Sequence, residues 1–453
     1  MNRFFTLLLW ETRRLGRARS TWAAVLGLLA AGALALWSGR ATTRAQADAI
    51  AGLPAHYATQ MERIADHFHD GGEAGYVAYY TFFPTYHALP PLTPLALGVR
   101  DVAPNVLWVR LLGLEGQIYE SDLGNPAVQA LGGFDLAFVV VALAPLALLV
   151  LTHDALTRDR AAGRLPLLAA QAGSLTALLA VRVGLRAFLV GVTITGLALA
   201  GAGFTAELAG WLGAAWASLA CWTGLAALVA ATARTPAASL ATVLTAWVAL
   251  VVLAPALTNL GLTAAFPVRE GLELTVRQRQ EIHGGWDKPK DATFEKFRTH
   301  NPDWTGAPVT GRFAWRWYYA MHQVGDESVA AESQAYRANL RARSALLARW
   351  GWLVPPAYGQ VLLAARAGTD LDAHLDYVER VRAFHAGLRG HFYPLVFATP
   401  ERVLQPADYA DFPRFDATLP PRGAGPSTAP LWLLAAGLGG LALFLVHRRP
   451  VLA

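Results

Sequence analysis

Six stretches of this chain, each roughly 17–24 residues long, carry almost no charge, and that is the length a bilayer core demands of a helix. They run near Thr21–Ser38, Phe134–Leu151, Ala187–Phe204, Leu208–Ala231, Ala238–Thr258 and Ala429–Val446. A backbone crossing hydrocarbon must satisfy its own N–H and C=O groups, so the pattern predicts an all-α polytopic membrane protein with six transmembrane helices. Composition agrees: 54% of the 453 residues are apolar and only 15% are charged. Two long polar segments, Gly39–Gly133 and Asn259–Thr428, read as two mainly helical extracytoplasmic domains. The expected order is therefore a cytoplasmic interfacial helix within 1–20, span one at 21–38 and a first domain at 39–133. Spans two to five follow at 134–258 with a cytoplasmic connection at 152–186, then a second domain at 259–428, span six at 429–446 and a tail at 447–453.

Arginine placement sets the orientation. Arg13, Arg14, Arg17 and Arg19 precede the first span. Arg158, Arg160, Arg164, Arg182 and Arg186 fall between spans two and three, Arg234 between four and five, and Arg448 and Arg449 after six. The connection between spans three and four has no Lys or Arg, so the positive-inside rule puts both termini in the cytoplasm. The net charge of +6 does not imply nucleic acid, because the remaining basic residues are scattered among acids with no phosphate-tracking stripe. The single cysteine, Cys221, rules out an intrachain disulfide. A cleaved signal peptide competes with an anchor at the N-terminus; the length of the apolar run and of the segment before it favours the anchor.

Residues Asn2–Leu15 mix Phe4, Phe5, Leu8, Leu9 and Trp10 with Arg3, Glu11, Arg13 and Arg14. They read as a helix lying along the cytoplasmic interface or, alternatively, as a topogenic charge cluster. The run Ala41–Asp70 is helical and continues span one into water. Prolines 84, 90, 91, 94 and 104 then forbid a long helix. In the second domain, Arg269–Ile282 and Ser328–Trp350 read as helices. A third starts with Thr369 as cap and Asp372 reaching back, buries Leu371, Leu375, Val378, Val381, Leu388 and Phe392, and ends at Pro394. Pro145 and Pro255 predict local loosening of spans two and five. The pairs Ala436/Gly440 and Gly210/Ala214 have a spacing that lets helices approach closely.

Chemistry is sparse. No GxxxxGK[ST] loop is present, and the only lysines are Lys288, Lys290 and Lys296, so the chain has no ATPase of that type. No ionisable residue falls in the middle of any span as bounded above, which argues against ion- or proton-coupled transport. His67-Phe68-His69-Asp70 is a weak metal candidate, since residues two apart on a helix diverge. His374 and His385 share a helix face but stand about 16 Å apart. Trp315, Trp317, Tyr318 and Tyr319 form an aromatic cluster that serves as core, membrane rim or ligand surface. The 35-residue connection Thr152–Arg186 is long for a link between helices. Its charged turn, Gly163 and the run Leu165, Leu167 and Leu168 read as an amphipathic element that docks in a partner's groove.

That segment resembles the cytoplasmic coupling segment of ABC-2 type permeases, the membrane subunits of one class of ABC exporter. Leu95-Ala96-Leu97-Gly98-Val99-Arg100-Asp101-Val102-Ala103-Pro104, Asn125-Pro126 and Gly133-Phe134-Asp135-Leu136-Ala137-Phe138 resemble a subfamily with two large extracytoplasmic insertions. Ala367-Gly368-Thr369-Asp370, His374, Val381-Arg382-Ala383-Phe384-His385, Leu388-Arg389, Phe392 and Pro394 are similar to its second insertion. The resemblance implies a permease with no catalytic, cofactor or metal site of its own, in the bacterial inner membrane. It further implies two copies of a cytoplasmic ATPase that binds ATP and Mg, and a second permease subunit. Arg158, Asp159, Arg160, Gly163, Arg164, Leu165, Leu167 and Leu168 would form the ATPase-coupling segment. The segment departs from the family at Ala161, where a second acid is usual, at Arg164 and at Pro166. The expected function is substrate export. The alternatives are a mechanical relay acting on a periplasmic partner without moving cargo, and a membrane-bound enzyme with its site in an outer domain.

Overall fold

The computed structural model describes residues 3–119, 133–268, 271–304, 309, 311–419 and 425–448; Asn125-Pro126, Arg269 and Arg449 lie outside them. In chain order, α1 (Arg3–Arg17) and α2 (Arg19–His67) are followed by α3 (Ala74–Tyr80) and α4 (Leu114–Tyr119). The second span, α5, consists of Leu136–Phe138, a π-helical turn at Val139–Leu143, and Ala144–Thr152. The next connection holds α6 (Thr157–Ala161) and α7 (Leu165–Ala172). Spans three and four are α8 (Leu175–Ala202) and α9 (Ala206–Thr232). Span five, α10, runs Pro236–Val248, a π turn at Ala249–Leu253, then Ala254–Ala265. The second polar segment contributes α11 (Gly271–Gly284), α12 (Lys290–His300), α13 (Trp315–Ser328), α14 (Ala330–Trp350), α15 (Pro355–Ala367) and α16 (Leu371–Val396). The sixth span is α17 (Ala429–Arg448). Strands are confined to two antiparallel pairs among the described residues. β1 (Gly72–Glu73) pairs with β4 (Val403–Leu404), and β2 (Phe83–Tyr86) with β3 (Val106–Val109).

Among the described residues six helices are long and apolar enough to cross a membrane, and each holds all or nearly all of one of the apolar runs. The two π turns sit immediately before Ala144-Pro145 and Ala254-Pro255. A proline ring collides with the carbonyl four residues earlier, and the wider turn moves that carbonyl aside. The predicted loosening is thus a π turn in both spans. The tightest helix pair is α9 with α17, where a Cβ added at Gly224 would come within 2.9 Å of Ala435 O and of Leu438 Cβ. The small residues that make this seam are Gly224, Ala435 and Gly439; Ala436 and Gly440 face outward. Span five touches the bundle along one seam, where the Trp247 indole donates to Ala142 O at 2.9 Å.

α2 is continuous for 49 residues, about 74 Å at 1.5 Å per residue, so span one does run on into the first polar segment. The two polar segments form a single packed body rather than two independent domains. Ile64, Phe68, Val77, Phe83, Leu111 and Ile118 of the first share a core with Phe297, Tyr319, Val381, Leu388 and Phe392 of the second. The pairing of β1 with β4 joins the first segment directly to the last part of the second. In α16 the predicted apolar face is buried at Leu375, Val378, Val381, Leu388 and Phe392. Its cap, however, is Asp370, which accepts from Ala373 N. Thr369 instead donates to Ala96 O, Asp372 accepts from Ser344 Oγ, and the helix runs two residues past Pro394. α15 was not expected from the sequence: Tyr358, Leu362 and Leu363 insert it into the bundle, with Gly359 against Ser218 and Val141.

Candidate coupling site

The connection between spans two and three is shorter than the sequence implies, because the third helix begins at Leu175. Ser174 caps it by accepting from Ala177 N. Arg182 and Arg186 are therefore not in a loop. They lie in the first three turns of α8, on an otherwise apolar stretch, and both are buried. This corrects the reading that buried ionisable groups are missing from the span helices; the apolar run that defined span three began only after them.

Arg182 is 2% exposed and is the centre of a four-element junction. Its Nε donates to Glu11 Oε1 of α1 at 2.8 Å. Its Nη1 donates to Asp159 Oδ2 of α6 at 2.7 Å and to Ala155 O at 2.6 Å. Glu11 and Asp159 are themselves buried, at 5% and 4% exposure. Arg186 donates to Arg182 O at 2.6 Å and stands 4.0 Å from Glu11 Oε2. At the rim, Arg14 lies 3.4 Å from Glu11 and 3.9 Å from Asp159, and Arg164 donates to Asp159 Oδ1 at 2.9 Å. Two buried acids thus balance two buried arginines, and the two rim arginines leave the exposed side positive. Taking a charge out of water costs several kcal/mol, so these four groups persist only as a set.

The segment Arg158–Leu168 divides around this junction. Asp159 points inward to Arg182, and Arg160 donates inward to Ala233 O. Gly163 turns the chain between α6 and α7 at φ +67°, a conformation that favours glycine. Of the three leucines, Leu165 is buried and Leu168 packs against the bundle; Leu167 is 63% exposed. Arg158 and Arg164 are exposed beside it, Arg158 within 3.6 Å of Asp154. The face offered outward is therefore Arg158, Ala161, Ala162, Gly163, Arg164, Leu167 and Ala170. Leu165 and Leu168 hold the segment down.

The other motifs meet at a second place, where the polar body joins the bundle. Asp135 caps α5 by accepting from Phe138 N at 2.9 Å and also accepts from Leu97 N at 2.8 Å. Val99 N donates to Thr369 O at 2.8 Å, and Thr369 Oγ1 donates to Ala96 O at 2.9 Å. Gly98, at φ +55°, lets the Thr369 carbonyl approach where a Cβ would stand only 2.3 Å away. Arg100 is buried and donates to the carbonyls of His87 and Ala88 and to Gln46. The three sequence patterns around 95–104, 133–138 and 367–370 thus build one structural joint.

The remaining candidates are packing groups. His69 pairs with Asp70 at 3.0 Å on an exposed turn, while His67 meets Phe68 and Tyr76 edge-to-face. Among the described residues no three His, Cys, Asp or Glu side chains are grouped as a metal site would need. His385 is buried with Nε2 2.9 Å from Leu112 O, and burial lowers its pKa to about 3. Trp317 and Tyr319 are core residues of the polar body, ringed by Trp315, Tyr318, Tyr76 and Trp286. Asp326 is held by Leu114 N, Glu115 N and Gln278 Nε2 at 2.6, 3.1 and 2.7 Å; burial still raises its pKa to about 6.

A family model described as a domain of unknown function (DUF3526) matches residues 272–418, about a third of the chain. The matched region covers α11 to α16 except for its first residue, and so most of the second polar segment. No curated protein and no solved structure matches the chain.

Proposed function

We propose that this chain is the membrane-spanning permease subunit of an ABC-2 type exporter, driven by ATP hydrolysis in a separate cytoplasmic ATPase. The observation that carries the reading is the junction at Arg182. An exposed basic–apolar face, Arg158 to Leu167, is tied through Asp159 to Arg182 on span three and through Glu11 to α1. A push on that face is delivered to two helices at once through buried, short, charge-assisted bonds. Two copies of the ATPase would supply ATP and Mg binding, and a second permease subunit, identical or related, would complete the bundle. On this reading both termini lie in the cytoplasm of a bacterial cell, the bundle in its inner membrane and the polar body outside.

The test is co-purification of an ATPase with the full-length chain in mild detergent. Leu167→Asp should abolish association while membrane insertion and melting temperature stay unchanged, because the Leu167 side chain is exposed and holds nothing in the junction. An ATPase that still co-purifies with this variant removes the segment from the interface. A chain that brings down no ATPase at all removes the reading.

A second reading is favoured by α2. One unbroken 49-residue helix links the α1 elbow to the core of the polar body, reaching it at Ile64. This geometry suits a mechanical relay in which the ATPase moves the polar body against a periplasmic partner and no cargo crosses. Cross-linking the bundle shut distinguishes the two: export stops, whereas a relay through α2 continues.

A further inference from the structure

α1 and α2 meet at an elbow. Thr12, Leu15 and Gly16 on one arm and Trp22 and Val25 on the other close around Leu185, Phe188, Leu189 and Val192 of α8. The groove between them holds about 310 Å³, and its walls are almost wholly apolar. Two of the polar side chains in its lining are already used. Thr12 Oγ1 donates to Leu8 O at 2.8 Å, and the Trp22 indole donates to Gly16 O at 2.8 Å. A groove lined in this way offers water few partners and suits an apolar guest.

The charges around the elbow define that guest further. Arg13, Arg17 and Arg19 are exposed there, and none has a hydrogen-bond or ion-pair partner among the described residues. The nearby acids Glu11 and Asp159 are turned inward and held by Arg182. On α1, Phe5 and Leu9 are exposed apolar side chains in the turns before the groove, and the exposed Arg13 and Arg17 follow them at four-residue steps. Trp22 is half exposed between the two regions, as an indole is at the boundary of headgroup and acyl layers. An apolar groove, a half-exposed tryptophan in its lining and three exposed arginines on the same two helices match one molecule.

The geometry points to a binding site for a single anionic phospholipid. One acyl chain lies between Phe188, Leu189 and Val25, and the headgroup phosphate lies over Arg17 and Arg19. Because Leu15 and Gly16 belong to the same helix as Glu11, the lipid also sets how closely α1 packs on α8. This proposal depends on the chain lying in a bilayer and not on which machine drives it.

Gly16 offers a direct test, since it lines the groove and a Cβ there would meet nothing within 4 Å, which leaves a phenylalanine room to occupy it. The full-length protein in detergent would be titrated with dioleoyl-phosphatidylglycerol or dioleoyl-phosphatidylcholine, and bound lipids counted by native mass spectrometry. The wild type should retain one phosphatidylglycerol well above phosphatidylcholine, and Gly16→Phe should reduce it to the phosphatidylcholine level. Arg17→Gln with Arg19→Gln should weaken phosphatidylglycerol by on the order of fivefold per arginine and leave phosphatidylcholine unchanged. These two side chains are exposed, so that variant keeps its fold even if Gly16→Phe does not. Equal retention of the two lipids by the wild type overturns the proposal. So does a Gly16→Phe protein that binds phosphatidylglycerol as before, or one that changes oligomeric mass with no change in lipid count, which would assign the groove to a second copy.

Discussion

Arg182 shows how one side chain decides whether a set of elements holds together. Its guanidinium donates to a carboxylate on α1, a carboxylate on α6 and the carbonyl of Ala155. Removing it leaves Glu11 and Asp159 buried without their main counter-charge. Arg182→Ala should therefore lower stability by about 3–5 kcal/mol, the usual consequence of breaking a buried pair from one side. Thermal unfolding of the detergent-solubilised protein would measure it. Arg182→Lys should recover only part of the loss, since an ammonium lacks the planar fork that serves both carboxylates. Gly98 makes the corresponding point about backbone. Gly98→Ala adds strain at φ +55° and a contact with Thr369 O, so it should loosen the joint between bundle and polar body. Amide exchange should rise at Val99, whose N–H bonds to that carbonyl.

At the scale of elements, packing of small residues sets distances that apolar composition does not. α9 and α17 approach so closely at Gly224 that the neighbouring backbone of Ala435 and Gly439 lies within contact of an added methyl. Gly224→Val should cost about 1–3 kcal/mol by overpacking. Its effect would appear as a lower melting temperature, with Gly437→Val, which meets nothing within 4 Å, as the silent control. The π turns before Pro145 and Pro255 are a second device of this scale. Both end two residues before the proline, in spans two and five, where the missing N–H and the ring of proline disturb the ladder. Sequence periodicity identified the prolines as points of disturbance. It did not distinguish a kink from a widened turn, because both begin with the same lost hydrogen bond.

For the whole molecule, the polar body responds to pH through buried groups of opposite sign. Burial lowers His322 and His385 to about 3 and His374 to about 4, from an ordinary 6.5. Those three contribute stability present above the unfolded value, and it is lost as pH falls below about 6.5. Burial raises Asp326 to about 6 and Glu401 to about 7, so these two add stability as pH falls through those values. At pH 5 the unfolded chain binds three protons at the histidines, while the folded chain binds two at the acids. The histidines prevail. The melting temperature should fall between pH 6 and pH 4, and His385→Gln, which keeps a donor for Leu112 O, should flatten that fall.

The sequence determined the solvent of each part of this protein. Apolar runs of membrane length, Pro145 and Pro255 deep within two of them and a charge-rich remainder specify six helices long and apolar enough to cross a membrane and two polar segments, because the partition of side chains between hydrocarbon and water is local to each stretch. It also marked the connection after span two and the patterns around Gly98, Asp135 and Thr369. Tertiary structure decided what these are for in the fold. It merged two polar segments, separated by four spans, into one core, and inserted α15 into the bundle. It also turned Leu165 and Leu168 inward while leaving Leu167 outside. A lone Glu11 in a basic helix and two arginines four residues apart on an apolar one were the available signs of the Arg182 junction. Their pairing spans 171 residues of chain, and no local period or spacing brings such distant charges together; only the packing of α1 on α8 does.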